Sequence, residues 1–398
     1  MHSIEEKLQE ITNLKSGVTR LTLTDFRNYQ SFRIDTDVSP IVITGENGSG
    51  KTNILEALSF LTPGRGLRNT RLADVKRITK NEESVLTKQN SWSIAAQIVK
   101  NGEEHLIGTA VQSQNKEDIS DDELHSFERR IIKIDGQKIS QQSEIGRYIS
   151  AIWITPQMDR LFLGGTQPRR NFLDRLVYAF DLEHAKRTAN FEHLYRQWCH
   201  LLKNGCKDSR WLQSIEREMA TCGVAIAAAR REQIARLNTF IEKEPDDVFP
   251  DVRLELAGTI EKMLDNKPAL LVEDYYTESL TKQRQSIIYN DYADGVNRSD
   301  FKVYFKKKNM PAELCSTGEQ KALLISIILA QTKCQILNKG FAPILLLDEV
   351  TTHLDNQKRD AFLNKILTLN LQAWITSTEE QNFTILQEKA QFIRLNSK

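Results

Sequence analysis

The 398-residue sequence has few cysteines, no long hydrophobic run and no repeat. Its five cysteines, an odd number, include no C-x-x-C pair, which argues against a zinc site or a disulfide framework and favours buried reduced thiols. No apolar stretch approaches the ~20 residues needed to cross a membrane. The N-terminus is acidic and lacks the apolar core of a secretory signal. We therefore expect a cytoplasmic protein.

The sequence also lacks a net charge of either sign. Its formal net charge is +1, from 54 basic and 53 acidic residues, so no overall basic excess indicates a nucleic-acid partner. Any DNA contact must come from locally gathered charge, directed at phosphates rather than bases. Each basic cluster by itself is more often an ordinary solvated surface than a DNA contact, and the sequence does not choose among the clusters. The candidates are Arg65, Arg68, Arg71, Arg129, Arg130, Arg169, Arg170, Lys306, Lys307 and Lys308.

Hydrophobic patterning predicts α/β structure interrupted by helices. Alternating apolar and polar residues predict β-hairpins at 18–34, 92–112 and 130–139. Apolar runs predict buried strands at 41–43, 343–347 and 373–376, and helices at 52–61 and 319–337. A polar, acidic stretch at 113–128 predicts a surface loop.

The pattern becomes helical and nearly strand-free from Pro168 to Glu244, with a single break at 203–208. Two helices on either side of such a break predict an antiparallel helical arm. With ~35 residues per side, the arm would be about 50 Å long.

A glycine-rich loop between the strand at 41–43 and the helix at 52–61 fits the phosphate-loop pattern G-x-x-x-x-G-K-[ST] at every fixed position. Its backbone N–H groups and the helix N-terminus favour bound phosphates. Lys51 is expected to reach the β- and γ-phosphates of ATP, and Thr52 to ligate Mg²⁺. The predicted nucleotide-binding residues are Gly45, Glu46, Asn47, Gly48, Ser49, Gly50, Lys51 and Thr52.

A second part of this site is the apolar run that ends in Asp348 and Glu349. A buried strand places both carboxylates at the carboxyl edge of a sheet, where α/β folds bind ligands. We expect Asp348 to hold Mg²⁺ and Glu349 to orient and deprotonate the attacking water. Such a run is common by itself, and its combination with the phosphate loop makes it informative.

The segment S-T-G-E-Q at 316–320 has two compatible interpretations. S-x-x-E before an apolar helix is a capping box. The segment also lies one helix before the acidic strand, where ABC ATPases carry their L-S-G-G-Q signature. In that class Ser316, Gly318 and Gln320 would bind the γ-phosphate held by a second protomer, so that two ATP molecules lie between two heads.

Two smaller features bear on catalysis. Gln157 resembles the glutamine of this class that senses Mg²⁺ and the attacking water. We therefore expect Gln157 to be a catalytic residue, together with Glu349. We also expect it to be a metal ligand, together with Thr52 and Asp348. The histidine expected after the strand at 373–376 is absent, and Thr376 and Thr378 offer hydroxyls instead.

Four segments together resemble the RecF family of bacterial recombination-repair ATPases, which are related to the SMC proteins. Residues 21–29 end in F-R-N-Y like the family's opening strand, and 64–68 (G-R-G-L-R) resemble its segment after the first helix. Residues 168–174 resemble the P-x-x-R-R-x-F-L-D stretch, and 316–320 the family's variant of the signature. The sequence departs at 295–298, where G-V-N-R stands in place of G-P-H-R.

The resemblance implies a weak, DNA-responsive ATPase that forms a homodimer on binding ATP and binds duplex DNA next to single-stranded gaps. It also implies cooperation with RecR and RecO in loading RecA, and a part in replication and the SOS response. The implied fold is an α/β ABC-type ATPase head with an inserted helical arm. Its predicted parts are an N-terminal tail (1–16), a head in two parts (17–165 and 251–398) and the arm (166–250).

Two other functions remain open from the sequence. An ATPase subunit of a transporter is disfavoured by the helical insertion and by the absence of Gly-Gly before Gln320. A DNA-end-binding scaffold working with a nuclease would be expected to carry longer coiled coils and a C-x-x-C hook, and Cys206 near the arm tip has no such neighbour.

Overall fold

A computed structural model describes residues 4–77, 91–112, 129–243, 246, 248–290 and 293–396. The acidic loop predicted at 113–128 lies outside the described residues. The chain forms two compact units, Met1–Met158 with Thr332–Lys398, and Asp159–Gln331. The second unit includes more of the chain than the arm predicted at 166–250, because strands and a further long helix also belong to it.

The described strands are, in chain order, β1 (Gly17–Phe26), β2 (Tyr29–Asp35), β3 (Ile41–Gly45), β4 (Ser93–Lys100), β5 (Glu103–Gln112), β6 (Arg129–Ile134), β7 (Gln137–Lys138), β8 (Ala151–Ile154), β9 (Val252–Ala257), β10 (Asp300–Phe305), β11 (Met310–Pro311), β12 (Ile344–Asp348), β13 (Ala373–Ser377) and β14 (Gln391–Leu395). The described helices are α1 (Ile4–Asn13), α2 (Lys51–Ser59), α3 (Thr166–Tyr178), α4 (His184–Lys203), α5 (Ser209–Lys243), α6 (Thr259–Met263), α7 (Ala269–Asn290), α8 (Thr317–Lys339) and α9 (Asn356–Thr368).

The first unit contains a parallel sheet with the strand order β14-β3-β13-β12-β8. Strands β12 and β13 are buried at every position, as strands covered on both faces must be. The carboxyl ends of β3, β12 and β13 therefore meet at one edge of the sheet, which is where the predicted phosphate loop and acidic pair begin.

An antiparallel sheet in the same unit has the order β2-β1-β4-β5-β6-β7. The three predicted hairpins are present in it. Two of them turn at pairs of left-handed residues, Asn101-Gly102 (φ 52° and 86°) and Asp135-Gly136 (φ 50° and 82°), which is the backbone a two-residue hairpin loop requires.

The second unit is built on α4 and α5. Asn190 contacts Cys222 and Trp198 contacts Glu216, so the two helices run antiparallel as predicted. The N–H groups of Gly205 and Cys206 donate to the carbonyls of Leu202 and Leu201, a Schellman ending that explains the break after Lys203. Buried residues of α7, Tyr276 among them, complete this helical core.

The helical pattern breaks twice, and the prediction of a single break was wrong. Helix α3 ends at Tyr178, and the Asp181 carboxylate accepts the Glu183 N–H at 3.1 Å and pairs with Arg187. A short aspartate side chain that binds the backbone two residues on competes with helix formation. Because α4 has 20 residues against 35 in α5, only α5 reaches the predicted arm length.

The predicted tail at 1–16 carries helix α1, whose Leu8 is buried. All five cysteines are free thiols, but only Cys315 and Cys334 are buried. No helix among the residues that the structure describes has the length and apolar character to cross a bilayer.

Candidate nucleotide-binding site

The phosphate loop joins β3, which ends at Gly45, to α2, which begins at Lys51. Gly45, Gly48 and Gly50 all have positive φ (153°, 86° and 101°), a backbone that other residues rarely adopt. At Gly50 a Cβ would lie 2.6 Å from Asn28 Nδ2 and from Tyr29 Oη. The F-R-N-Y segment therefore lies directly against the loop, and glycine is required at position 50 for space as well as for conformation.

Lys51 is buried, with 5% of its surface exposed. Its Nζ donates to the carbonyl oxygens of Gly45 at 2.6 Å and Glu46 at 2.9 Å. These contacts hold an ammonium group inside the loop, where it satisfies carbonyls that a bound phosphate would otherwise face. The loop thus carries one fixed cation for an anionic ligand.

The Asp348 carboxylate connects three elements at the carboxyl edge of the parallel sheet. Thr52 Oγ1, in the first turn of α2, donates to Asp348 Oδ1 at 2.9 Å. Thr376 Oγ1, in β13, donates to the same oxygen at 2.6 Å, and Asp348 itself is 6% exposed. The phosphate loop, β12 and β13 therefore meet at this side chain.

The donor set at Asp348 fits a hard divalent cation. A hydroxyl and a carboxylate are oxygen ligands of the kind Mg²⁺ takes, and Mg²⁺ usually completes its shell with water and substrate phosphates. No group of three or more His, Cys, Asp or Glu side chains within the described ranges is arranged so that it could hold a metal ion. A cation held by Thr52 and Asp348 would therefore depend on the nucleotide for further ligands.

Glu349 adopts a left-handed backbone, with φ 48°, directly after β12. Its N–H points to Thr376, lying 3.2 Å from the carbonyl oxygen and 3.1 Å from Oγ1. A non-glycine residue in this region costs on the order of 1–3 kcal/mol, and such residues cluster at active sites. Thr376, which also binds Asp348, thus helps to fix both acidic residues.

Gln157 is exposed and lies in the turn Pro156–Arg160, after β8. Ile154, at the end of β8, pairs with Leu347 of β12. The chain therefore leaves β8 at the same edge of the sheet where Asp348 and Glu349 lie.

The S-T-G-E-Q segment belongs to the second unit and begins α8. The Glu319 carboxylate accepts the N–H of Ser316 at 2.9 Å and its hydroxyl at 3.0 Å, so the predicted capping box is formed. Ser316 is exposed, whereas Gln320 is 3% exposed and donates to the Cys315 carbonyl at 2.9 Å. The Ser316 hydroxyl is thus open to a ligand, whereas the Gln320 side chain is not.

Several basic residues proposed for DNA contact have structural roles instead. Arg130 is 7% exposed and donates to Thr109 and to the carbonyls of Gly64 and Phe60. Burial lowers the pKa of its guanidinium to about 10. Arg130 is therefore a buried packing residue rather than a surface contact, and the side chain of Arg129 lies outside the described residues.

The R-R pair of the P-x-x-R-R-x-F-L-D stretch is also engaged. Arg169 pairs with Asp300 at 2.8 Å, and Arg170 donates to the Ser299 carbonyl at 2.9 Å. Asp174, at the end of the stretch, accepts two hydrogen bonds from Arg230, of 2.7 and 2.8 Å. The stretch thus ties α3 to the rest of the second unit.

The G-V-N-R departure lies at the same cluster. Arg230 also donates to the carbonyl oxygen of Val296 at 2.7 Å. Because the contact uses the backbone, a valine at this position keeps the acceptor that any residue would supply.

Sequence reasoning missed Glu56, which is fully buried on α2. It accepts Arg27 of the F-R-N-Y segment through both oxygens, at 2.9 and 2.5 Å, and Arg68 of the G-R-G-L-R segment at 2.7 Å. A lone carboxylate among the apolar residues of α2 was the available signal. Two family motifs that look unrelated in sequence thus converge behind the phosphate loop.

The fold and these contacts define the head of an ABC-type ATPase. The family model of the RecF/RecN/SMC N terminal domain matches residues 17–397. The chain belongs to the RecF family. It is 40% identical over 388 residues to the DNA replication and repair protein RecF of Agrobacterium fabrum, covering 96% of this chain and 97% of that protein. It is 40% identical over 384 residues to RecF of Rhizobium rhizogenes, covering 95% of this chain and 96% of that protein.

Solved structures agree in fold. The recombination mediator protein RecF-ATPrS in the RecFOR pathway superposes with a TM-score of 0.74 at 18% identity, covering 92% of this chain and 94% of that one. The Smc head domain from Pyrococcus furiosus, with an extended coiled coil and bound to the C-terminal domain of ScpA, gives a TM-score of 0.50 at 15% identity, covering 96% and 94%. These likenesses confirm the predicted ATPase-head fold.

Proposed function

We propose that this protein is an ATP-hydrolysing, DNA-binding protein of replication and recombinational repair that dimerises when it binds ATP. The observation that carries the proposal is the contact of Thr52 with Asp348, which brings the phosphate loop and the acidic strand to one place beside Lys51. The 40% identity to DNA replication and repair proteins over 96% of the chain supports this role rather than that of a transporter subunit or a nuclease scaffold.

In this proposal the phosphate loop holds the β- and γ-phosphates through its backbone N–H groups and Lys51. Thr52 and Asp348 hold Mg²⁺, which neutralises charge on the phosphates when bound. Glu349 takes a proton from the attacking water, whose oxygen displaces ADP from the γ-phosphorus to leave inorganic phosphate. Gln157 orients that water from the end of β8. A relative solved as RecF-ATP supports ATP as the ligand.

The proposed second role belongs to the S-T-G-E-Q segment. Ser316 and the Gly318 backbone, at the N-terminus of α8, receive the γ-phosphate held by a second copy, while buried Gln320 fixes the segment from behind. Leu314, two residues before Ser316, is 68% exposed although apolar. An exposed leucine beside this segment is consistent with a surface that a second copy covers.

For DNA we propose contacts by Arg65 and Arg71, which are exposed. Arg68 is held by buried Glu56, and Lys306 and Lys308 pair with Glu242 and Glu319, so their charge is already balanced in part. Contacts of this kind are to phosphates and favour a DNA shape, such as a duplex beside a gap, over a base sequence. We further propose that the protein acts in the cytoplasm with RecO and RecR to load RecA, in keeping with relatives described in the RecFOR pathway.

The test combines mass and DNA binding. Light scattering should give a monomer without nucleotide and a dimer with ATP, and a gapped duplex should bind more tightly than a blunt one. DNA affinity should fall steeply with salt, and Arg65→Ala with Arg71→Ala should reduce that slope by about one contact each. A mass that ATP does not change, or an affinity that salt does not change, would contradict the proposal.

A further inference from the structure

Glu319 puts a carboxylate beside the hydroxyl that we propose receives a phosphate. One of its oxygens accepts both the N–H and the hydroxyl of Ser316, at 2.9 and 3.0 Å. The hydrogen bond from Lys308, followed by that from the Ser316 N–H, holds the pKa of Glu319 at about 2. The side chain is therefore an anion at any physiological pH, only one hydroxyl away from the incoming triphosphate.

Two anions placed this close would oppose each other. Like charges brought together across an interface are disfavoured, and a triphosphate carries several negative charges. The helix N-terminus offsets part of this, because its partial positive charge favours both the carboxylate and the phosphate. A full positive charge is needed to cancel the carboxylate.

Lys308 supplies that charge. Its Nζ donates to Glu319 Oε1, the oxygen that does not bind Ser316. The lysine lies at the end of the turn Lys306–Lys308 between β10 and β11, and left-handed Asn309 (φ 46°) closes this turn. Its ammonium also lies 5.2 Å from the centre of the Phe305 ring, a cation–π contact that helps to fix it in place.

We propose that Lys308 is a positioning residue for the S-T-G-E-Q segment. By neutralising Glu319 while leaving the capping box intact, it allows Ser316 and the N-terminus of α8 to accept the γ-phosphate held by a second copy. The inference rests on the proposed ATP-dependent dimer and deepens it.

The neighbouring Lys307 provides a matched control. It lies in the same turn, is exposed, and forms no ion pair within the described part of the chain. Lys307→Met removes the same charge from the same surface as Lys308→Met. A difference between the two variants therefore measures the contact with Glu319 rather than the net charge of the protein.

The experiment is a double-mutant cycle. The dimer dissociation constant of each variant is measured by sedimentation in the presence of a slowly hydrolysed ATP analogue. Lys308→Met should raise the dimer dissociation constant roughly tenfold, because the Glu319 carboxylate would no longer be neutralised and would repel the triphosphate across the interface. Lys308→Arg keeps the positive charge and should raise the constant less. Lys307→Met should change it by less than about twofold. Monomer affinity for a fluorescent ATP analogue should stay at the wild-type value in each variant.

The decisive comparison is made in the background of Glu319→Gln, which removes the negative charge and keeps a residue able to form the capping box. There Lys308→Met should have an effect of less than about twofold, since no carboxylate is left to neutralise. An equal effect in both backgrounds would mean that Lys308 acts on another group, and no effect in either would mean that it does not act on dimerisation; both results overturn the proposal. If the wild-type protein fails to dimerise with ATP, the proposed function falls first and this inference with it.

Discussion

The hydroxyl of Thr52 donates to the carboxylate of Asp348 at 2.9 Å, although the two residues are 296 positions apart in the chain. The contact joins the helix behind the phosphate loop to the end of a buried strand. Because each partner comes from a different part of the sequence, neither motif forms a nucleotide site by itself.

Lys51→Ala should abolish ATP binding, because the loop would lose its cation and the carbonyls of Gly45 and Glu46 their donor. Titration with a fluorescent ATP analogue measures this directly. Lys307→Ala, which removes an exposed lysine elsewhere, serves as the control and should bind with wild-type affinity. Retention of wild-type affinity by Lys51→Ala would remove the assignment of the loop.

Glu349→Gln should lower ATP hydrolysis by roughly 10²-fold or more, since the amide keeps the shape of the side chain but accepts no proton. ATP binding and the ATP-dependent dimer should persist. Phosphate release and light scattering on the same sample separate these effects. Hydrolysis near the wild-type rate would show that another group activates the water.

Thr376→Val should weaken the binding of Mg²⁺ at Asp348, so that a higher Mg²⁺ concentration is needed for ATP binding. The methyl group fills the space of the hydroxyl, but Asp348 loses a donor at 2.6 Å and the Glu349 N–H loses an acceptor. A buried polar group left unpaired costs about 1–3 kcal/mol, so a moderate fall in stability is also expected. The control is Thr378→Val, an exposed position after the same strand. Equal Mg²⁺ titrations for both variants would contradict the assigned role.

Ser316→Arg should leave ATP affinity of the monomer nearly unchanged while preventing dimerisation and hydrolysis, because a bulky cation would occupy the interface. If Ser316 only caps α8, the variant would instead lose about 1 kcal/mol of stability and still dimerise. Light scattering with and without ATP, together with a melting curve, distinguishes the two outcomes. A variant that doubles its mass on addition of ATP would exclude the composite site.

Asp174→Asn should destabilise the second unit by about 3 kcal/mol or more, because it removes the charge that pairs with the buried Arg230 guanidinium through two hydrogen bonds, and the Glu261 carboxylate lies farther away, at 4.0 Å. Burial alone would raise the pKa of Asp174, but its charge interaction and hydrogen bonds with Arg230, and a bond from His184, lower it from 3.8 to about 2. The stabilisation is therefore complete above pH 4 and is lost as the pH falls toward 2.

Denaturant unfolding at pH 7, 5, 4 and 3 tests this pH dependence. The difference in free energy of unfolding between wild type and Asp174→Asn should be constant down to about pH 4 and then become smaller. Asp265→Asn is the control, because its pair with Arg231 is largely exposed and should contribute at most about 1 kcal/mol. A difference in free energy of unfolding that grows as the pH falls would contradict the lowered pKa of Asp174.

The elements that local chemistry specifies were predictable from the sequence. The hairpin at Asn101-Gly102 was found because this dipeptide adopts the left-handed pair that the turn requires, and the phosphate loop because its glycines and Lys51 stand at fixed spacings. The capping box was found for the same reason, since Ser316 and Glu319 are only three residues apart.

Features that depend on distant partners were not predictable. Arg130 shares the buried face of β6 with Ile132 and Ile134, a period of two that was visible in the sequence. Its burial nevertheless depends on carbonyl acceptors at Phe60 and Gly64, which no local pattern reveals. The same holds for Thr376, whose hydroxyl was noted in the sequence but whose contact with Asp348 no local pattern reveals. The strand order was likewise invisible, because parallel pairing is set by tertiary packing.

The position of β3 in its sheet has a consequence for biosynthesis. Ile41 pairs with Trp374 on one side and with Gln391 on the other, so the ribosome makes both neighbours of this strand long after the strand itself. The emerging chain must therefore keep an apolar strand unpaired, and thus prone to aggregation, until β13 and β14 have been made. A stop codon before residue 391 would leave one edge of β3 open, so we expect truncations that remove β14 to be insoluble rather than merely inactive.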